Sequence, residues 1–461
     1  MRRYKMKKQK DISLKKALAE DLIIDKRNED YKTPEDLCQF TDSTKKSGNH
    51  IVIGGAGSGK EVGYVNLQID NAIKKGENLV ITTTTEPDKE FLERAENLGY
   101  SVKIVNVSSE FNCIQSANIY EKTYNPFHYI KDDKDAQEMV LSIKEYFDYY
   151  YATHYDSKFF QDMYWDQTAY LLMTSLFCLT RYSEITQLPV ELLTIKKLLT
   201  GMVNPNVNGV DTFALLKELK EKSNEAEHIV TKTLAADNKT LKNVANSILT
   251  VCQENCLCLS ANDNLELEQL GKEKTLLFLL FSPVEVGFGN FVAEMILDQA
   301  IRILQNDRKE NTEKGIHVRF LLDEYPNVLC GTIGKIGYAL ASAPHYNMSF
   351  SIIIQSINQI YTLNEEYGES MRKNNDKAEM ADRAGMIIKN SNVVFYYGGY
   401  CDLKTAEFLR KISKNPKDLC VINDKLLANI KDDEILLFSR DIETLPIIAR
   451  KKYLHNEEIG K

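Results

Sequence analysis

The run Ile51-Val52-Ile53-Gly54-Gly55-Ala56-Gly57-Ser58-Gly59-Lys60-Glu61 sets a glycine-rich loop directly behind a short apolar segment. Gly54, Gly59 and Lys60 fall at the G-x-x-x-x-G-K spacing of a phosphate-binding loop. The chemistry needs these types. Glycines let consecutive backbone N–H groups turn inward around a phosphate, a following helix adds the positive end of its dipole, and lysine brings a mobile positive charge. Gly54, Gly55, Ala56, Gly57, Ser58, Gly59, Lys60 and Glu61 are therefore expected to form the cradle, with ATP and Mg2+ bound there. One position departs from the pattern. A Ser or Thr hydroxyl normally follows the lysine and ligates Mg2+, whereas this chain has Glu61. A carboxylate can take Mg2+ directly, or it can repel the phosphates by about 1 to 4 kcal/mol at a few ångströms. Both readings stay open at the level of the sequence.

Far downstream, Val318-Arg319-Phe320-Leu321-Leu322 is an apolar run that ends in Asp323 and Glu324. A buried strand delivering these acids to the edge of a phosphate site would supply a metal-shell ligand in Asp323. Glu324 would polarise the attacking water. Asp323 and Glu61 are the candidate metal residues. Gln355, closing the run Ser349–Ile354, is a candidate sensor of the terminal phosphate. Cys252, Cys256 and Cys258 form the tightest cysteine group, but no C-x-x-C pair or nearby histidine accompanies them, so small buried residues are expected rather than a metal site.

These residues need elements to position them. Short apolar runs at Ile51–Ile53, Leu79–Thr82 and Val102–Val107 alternate with helix-compatible stretches, among them Pro87–Gly99 with its acidic start and glycine stop. That alternation predicts a parallel sheet with crossover helices. After Asn125-Pro126-Phe127 the strand texture stops, and residues 131–240 carry Leu, Lys, Glu, Asp and Tyr at helical spacings. Strand texture returns at Lys274–Phe281, His317–Asp323, Ser349–Ile354, Val393–Tyr397, Glu434–Phe438 and Pro446–Ala449. The expected class is α/β: a nucleotide-binding domain at 47–130 and 241–461, interrupted by an all-α domain at 131–240 and preceded by a basic arm at 1–46.

Composition sets the outer limits. The 461 residues carry 66 acidic and 58 basic side chains, a net charge of −8, which excludes a protein that coats nucleic acid with its whole surface. A local basic pore is still allowed. No apolar run approaches the roughly 18 to 20 residues that a membrane-spanning helix needs. The first ten residues hold six Lys or Arg with no apolar core behind them, unlike a signal peptide. Nine cysteines without paired spacing fit a reducing compartment.

From about Ala17 to Lys452 the order of motifs resembles the TraG/TraD-like coupling proteins of type IV secretion and conjugation. The matching features are the phosphate loop, Tyr124-Asn125-Pro126-Phe127, the helical stretch, Leu321-Leu322-Asp323-Glu324, Ile353-Ile354-Gln355-Ser356 and Asn392–Gly399. The resemblance implies a RecA-like P-loop domain with a mainly parallel sheet, an all-α domain, hexameric rings with ATP at subunit boundaries, and a cytoplasmic place at the inner face of the cell membrane. It implies partners too: single-stranded DNA or a relaxase–DNA complex, delivered to type IV secretion channel proteins. Carried over by position, Lys60 is the phosphate lysine, Asp323 and Glu324 the metal and water acids, and Gln355 the sensor.

Departures from the family pattern are Glu61-Val62 after the lysine, Glu86-Pro87-Asp88-Lys89 at the end of the second strand, and no arginine within Ile333–Met348, where a trans-acting one is usual. Arg383, Lys335 and Arg319 are candidates to replace it. Relatives usually begin with two membrane helices, so this chain is expected to meet the membrane only through partners or a missing anchor. Two functions compete: an ATPase that pumps DNA, and a catalytically impaired relative serving as a recruitment or structural subunit.

Overall fold

A computed structural model describes residues 48–107, 119–154, 163–251, 262–281, 288–310, 315–324, 333–361, 383–399 and 401–412, residues 427, 430 and 432, and the segments 434–439 and 447–450. The expected basic arm at 1–46 and the cluster Cys252, Cys256 and Cys258 lie outside these residues.

The strands are β1 (His50–Ile53), β2 (Asn78–Thr83), β3 (Ser101–Asn106), β4 (Thr275–Leu280), β5 (Val318–Leu322), β6 (Met348–Ile354), β7 (Val393–Tyr396), β8 (Glu434–Ser439) and β9 (Ile447–Arg450). They form one sheet in the order β3-β4-β2-β5-β6-β1-β7-β8-β9. The pairs from β3 through β7 are parallel, and β8 and β9 join antiparallel at one edge. Strands buried on both faces need apolar residues at consecutive positions, which is why Ile51-Val52-Ile53 and Phe320-Leu321-Leu322 read as unbroken runs.

Successive side chains go to opposite faces. Val52, Ile81, Leu321 and Ile353 point to the layer formed by α1 (Asn66–Lys75) and α2 (Lys89–Asn97). Ile51, Ile53, Phe320 and Ile354 point to the other layer. The boundaries of α2 follow from local chemistry: Asp88 caps it by accepting the Phe91 N–H at 3.1 Å, and Gly99 turns the chain away at φ 83°.

Between Asp133 and Val251 the described residues are helical or loop. The longer helices are α3 (Asp133–His154), α4 (Met163–Arg181), α5 (Leu192–Val203), α6 (Thr212–Lys222), α7 (Glu227–Leu234) and α8 (Asn238–Val251). Their core, including Leu172, Phe177, Leu198 and Leu241, is continuous with the second sheet face through α9 (Phe288–Glu310). The joint is polar and specific. Tyr124 donates to Gln299 Oε1 at 2.5 Å, and the Gln299 amide donates to the Pro126 carbonyl at 2.9 Å. Asp263 accepts the Asn125 N–H at 2.9 Å and the Tyr129 hydroxyl at 2.5 Å, while the Asn125 amide reaches Val190. Arg302 on α9 pairs with Glu138 of α3 and with Asp298. The Tyr-Asn-Pro-Phe motif thus stitches the helical layer to the sheet.

His50 opens β1 as a fully buried imidazole. Its Nδ1 bonds the Tyr64 hydroxyl at 2.6 Å, and that hydroxyl bonds Ser351 at 2.9 Å. Burial, with a smaller push from Arg319, lowers its pKa to about 3. The unfolded imidazole has a pKa near 6.5, so between the two values the unfolded chain holds the extra proton and this contribution to stability falls as pH falls. The melting temperature is expected to drop through that window, with a contribution of up to about 1.4 kcal/mol per pH unit. In His50→Phe the pH dependence should flatten. A slope unchanged by the substitution would rule out the buried neutral histidine as its source.

Candidate active site

The site lies at the carboxyl ends of the parallel strands, where open α/β sheets collect ligands. The loop 54–60 leaves β1, Asp323 and Glu324 leave β5, and Gln355 leaves β6. Strand order settles how they meet. Strand β6 lies between β1 and β5, so Gln355 stands between the phosphate loop and the acidic pair. Its amide Nε2 is 3.2 Å from both carboxylate oxygens of Glu324. Gln359 steadies the turn, its Oε1 accepting the Gln355 and Ser356 N–H groups at 2.7 and 3.2 Å. Ser356 in turn donates to Asp402, the residue that caps α10 (Leu403–Ile412) through the Thr405 N–H.

The loop has the conformation its glycines permit. Gly57 and Gly59 sit at φ 71° and 79°, values that side chains disfavour. The Gly54 N–H donates to the Ile354 carbonyl at 3.1 Å, tying the loop entrance to the end of β6. The Lys60 ammonium lies over the loop, donating to the Gly54 and Gly55 carbonyls at 2.5 and 3.1 Å. Burial lowers its pKa, and the negative charges of Asp323 and Glu324 act against that shift. The helix behind the loop starts as one wide π turn at Glu61–Val65, in which the Asn66 N–H reaches the Glu61 carbonyl.

Asp323 is pushed up to about 6, first by burial and then by the neighbouring Glu324 charge. The Glu324 N–H, donated to Asp323 Oδ1 at 3.0 Å, and Lys60 oppose the rise, while Glu61 adds to it. Thr82 on β2 fixes the turn by donating to the Asp323 carbonyl at 2.8 Å. Glu324 occupies the left-handed region at φ 51°, a conformation that costs a non-glycine residue about 1–3 kcal/mol and is met most often at functional sites. The Gln355 amide and the Asp323 carboxylate hold it there.

Every sequence-predicted residue therefore lies at this one edge: Gly54 to Glu61, Asp323, Glu324 and Gln355. Glu61 has an exposed side chain whose charge still acts on Asp323. Among the described residues no group of three His, Cys, Asp or Glu side chains stands close enough to hold a metal ion by itself. The Asp323 carboxylate is of the type that Mg2+ takes, one or two carboxylates with substrate phosphates supplying the rest. The residues fit a magnesium nucleotide, with the acid at 61 as the one atypical donor.

Arg319 does not fit the role of a trans-acting arginine. It is buried, its guanidinium bound to Glu77 at 2.6 Å and to Gln68 at 2.5 Å, because its position on β5 turns it into the α1 layer. The side chains of Lys335 and Arg383 lie outside the described residues. Sequence reasoning missed the functional contacts of Thr82, Gln359 and Ser356, and of Tyr397-Gly398-Gly399, which abuts the phosphate loop. Two glycines at the end of a buried strand were the available signal, since they mark a close backbone approach.

A sequence model for type IV secretory system conjugative DNA transfer matches residues 4–412. The fold is similar to that of the plasmid coupling protein TrwB in complex with the non-hydrolysable ATP analogue ADPNP, at 12% identity and a TM-score of 0.58 over 93% of this chain and 95% of that one. The TrwB complex with ADP and Mg2+ gives 13% identity and a TM-score of 0.55 over 93% and 94%. The complex with the GTP analogue GDPNP gives 12% and 0.54 over 88% and 86%. At such identities the likeness is one of fold. No curated protein sequence matches this chain.

Proposed function

Because this chain belongs to the type IV secretory system conjugative DNA transfer family, we propose that it is an ATPase that recruits DNA and drives it toward the secretion channel. The observation that carries the reading is the convergence at one sheet edge of a glycine loop with its lysine, an Asp-Glu pair and a glutamine bonded to the Glu. The loop amides and Lys60 hold the nucleotide phosphates, and Asp323 would serve as the carboxylate that helps hold Mg2+, which would neutralise phosphate charge there. Glu324 orients the attacking water and receives its proton, while Gln355 keeps the carboxylate aimed. Bound magnesium nucleotide supplies the phosphoanhydride bond whose cleavage powers movement.

The substrate in this reading is single-stranded DNA or a relaxase–DNA complex, gripped through its backbone in the pore of a homo-oligomeric, hexameric ring. Such contact weakens steeply with salt. The ring works at the cytoplasmic face of the membrane, held there by channel proteins. Residues 131–240 are read as a separate all-α domain that meets protein partners. No helix among the described residues is long and apolar enough to cross a membrane.

Phosphate release from Mg-ATP, with and without single-stranded DNA, tests the proposal. DNA-stimulated release is expected in the wild type. Lys60→Ala should weaken nucleotide binding about 10- to 100-fold, the worth of a lost charged hydrogen bond of ~1.5–3 kcal/mol, and abolish the release. Nucleotide binding without any release, DNA present or absent, would instead make the chain a recruitment or structural subunit. Glu61 is the specific feature that favours this second reading.

A further inference from the structure

We propose that Tyr397, Gly398 and Gly399 form a clamp that holds the phosphate loop at both its entrance and its exit, acting as positioning residues for nucleotide binding. The proposal rests on the loop being the phosphate site. Three consecutive residues reach both sides of one loop. At the entrance the Gly55 N–H donates to the Gly398 carbonyl at 3.2 Å. This contact uses a peptide near the start of the loop, where the Gly55 carbonyl in turn accepts the Ser58 N–H at 3.2 Å.

At the exit the buried Tyr397 hydroxyl donates to the Gly63 carbonyl at 2.6 Å, inside the wide turn that follows Lys60. Tyr397 is itself fixed, because its N–H donates to the Ile53 carbonyl at 2.7 Å and its ring sits edge-on to Tyr64. The span between the two anchor points sets how far the loop opens.

The approach is tight enough that a side chain here would force its neighbours to move. A Cβ at Gly399 would lie 3.0 Å from the Gly55 nitrogen and 3.1 Å from its Cα, and Gly399 also takes φ 89°. On the facing side, a Cβ at Gly54 would meet the Tyr397 Cβ at 2.8 Å. Gly399 therefore packs backbone on backbone against Gly55, and Gly54 faces the Tyr397 side chain, so a shift of the loop presses on the clamp at both places. The sheet supplies the leverage. Strand β7 is the neighbour of β1 on the side away from β6, so the loop is gripped from both flanks, by Ile354 on one and Gly398 on the other.

Hydrogen exchange read by mass spectrometry on peptides covering residues 55–63, together with the affinity for a fluorescent ADP, tests the clamp. Tyr397→Phe keeps the ring and removes only the hydroxyl. It should raise exchange in those peptides about 3- to 10-fold, the worth of one hydrogen bond, and weaken ADP by a similar factor. Its melting temperature should stay within about 2 °C of the wild type. Gly399→Ala should do more to both readouts. Tyr396→Phe, on the opposite face of the same strand, should leave the peptides unchanged. Unaltered exchange across 55–63 in both clamp variants would overturn the proposal. So would a rise shared equally by β2 and β4, which marks general loosening. A wild-type protein that takes no nucleotide would defeat the ATPase reading, and the exchange measurement would still decide the clamp.

Discussion

Glu324→Gln is expected to lower ATP turnover by about 10²–10⁴ while nucleotide affinity stays within about threefold, the pattern of a lost general base. The geometry supports that split. Glu324 is held by the Gln355 amide at 3.2 Å and by its own N–H on Asp323, which aims its carboxylate from the β5 and β6 ends of the site. The isosteric amide keeps the shape and loses the capacity to accept a proton. Single-turnover phosphate release, paired with a direct binding titration, separates the two quantities. A parallel fall in both would mean that Glu324 acts by shaping the loop, and its assignment as the base would fail.

The second large effect concerns the acid after the lysine. Glu61→Thr is expected to tighten Mg-nucleotide binding about tenfold. An exposed carboxylate a few ångströms from a phosphate repels it by only about 1 kcal/mol when water sets the dielectric. The incoming hydroxyl adds the metal ligand that such loops ordinarily carry. Titrations with and without Mg2+ distinguish the two contributions. Relief of repulsion improves both, whereas a new metal ligand improves binding only with Mg2+. A weakening specific to Mg2+ would show that Glu61 is itself a ligand and reverse the interpretation. The charge of Glu61 already acts on Asp323 in the structure, so removing it should also ease the ionisation of that acid.

The phosphate loop was legible because its signal is local. A glycine spacing next to a lysine after an apolar run needs no knowledge of the rest of the chain. The strands were legible for a related reason: burial on both faces forces unbroken apolar runs, and each expected run from Ile51 to Ala449 has a strand on it, its ends agreeing to within one residue. Arg319 shows where such reasoning ends. Its charge suggested reach toward a neighbour, yet alternation along β5 sends it into the layer beneath, where Glu77 and Gln68 satisfy it. A strand position is read from a sequence more readily than the face it serves.

By itself the sequence determined the residue types at the site and the class of fold, through periodicity, glycine spacing and motifs shared with a family. Only the tertiary structure decided which of them touch. Placing β6 between β1 and β5 brings Gln355 onto Glu324, and placing β7 on the far side of β1 sets Tyr397-Gly398-Gly399 against the phosphate loop. Strand order is a long-range property, set by how crossover helices bury the two sheet faces. The residues it unites here lie 31 positions apart in the first case and 334 in the second, where no local pattern records their contact.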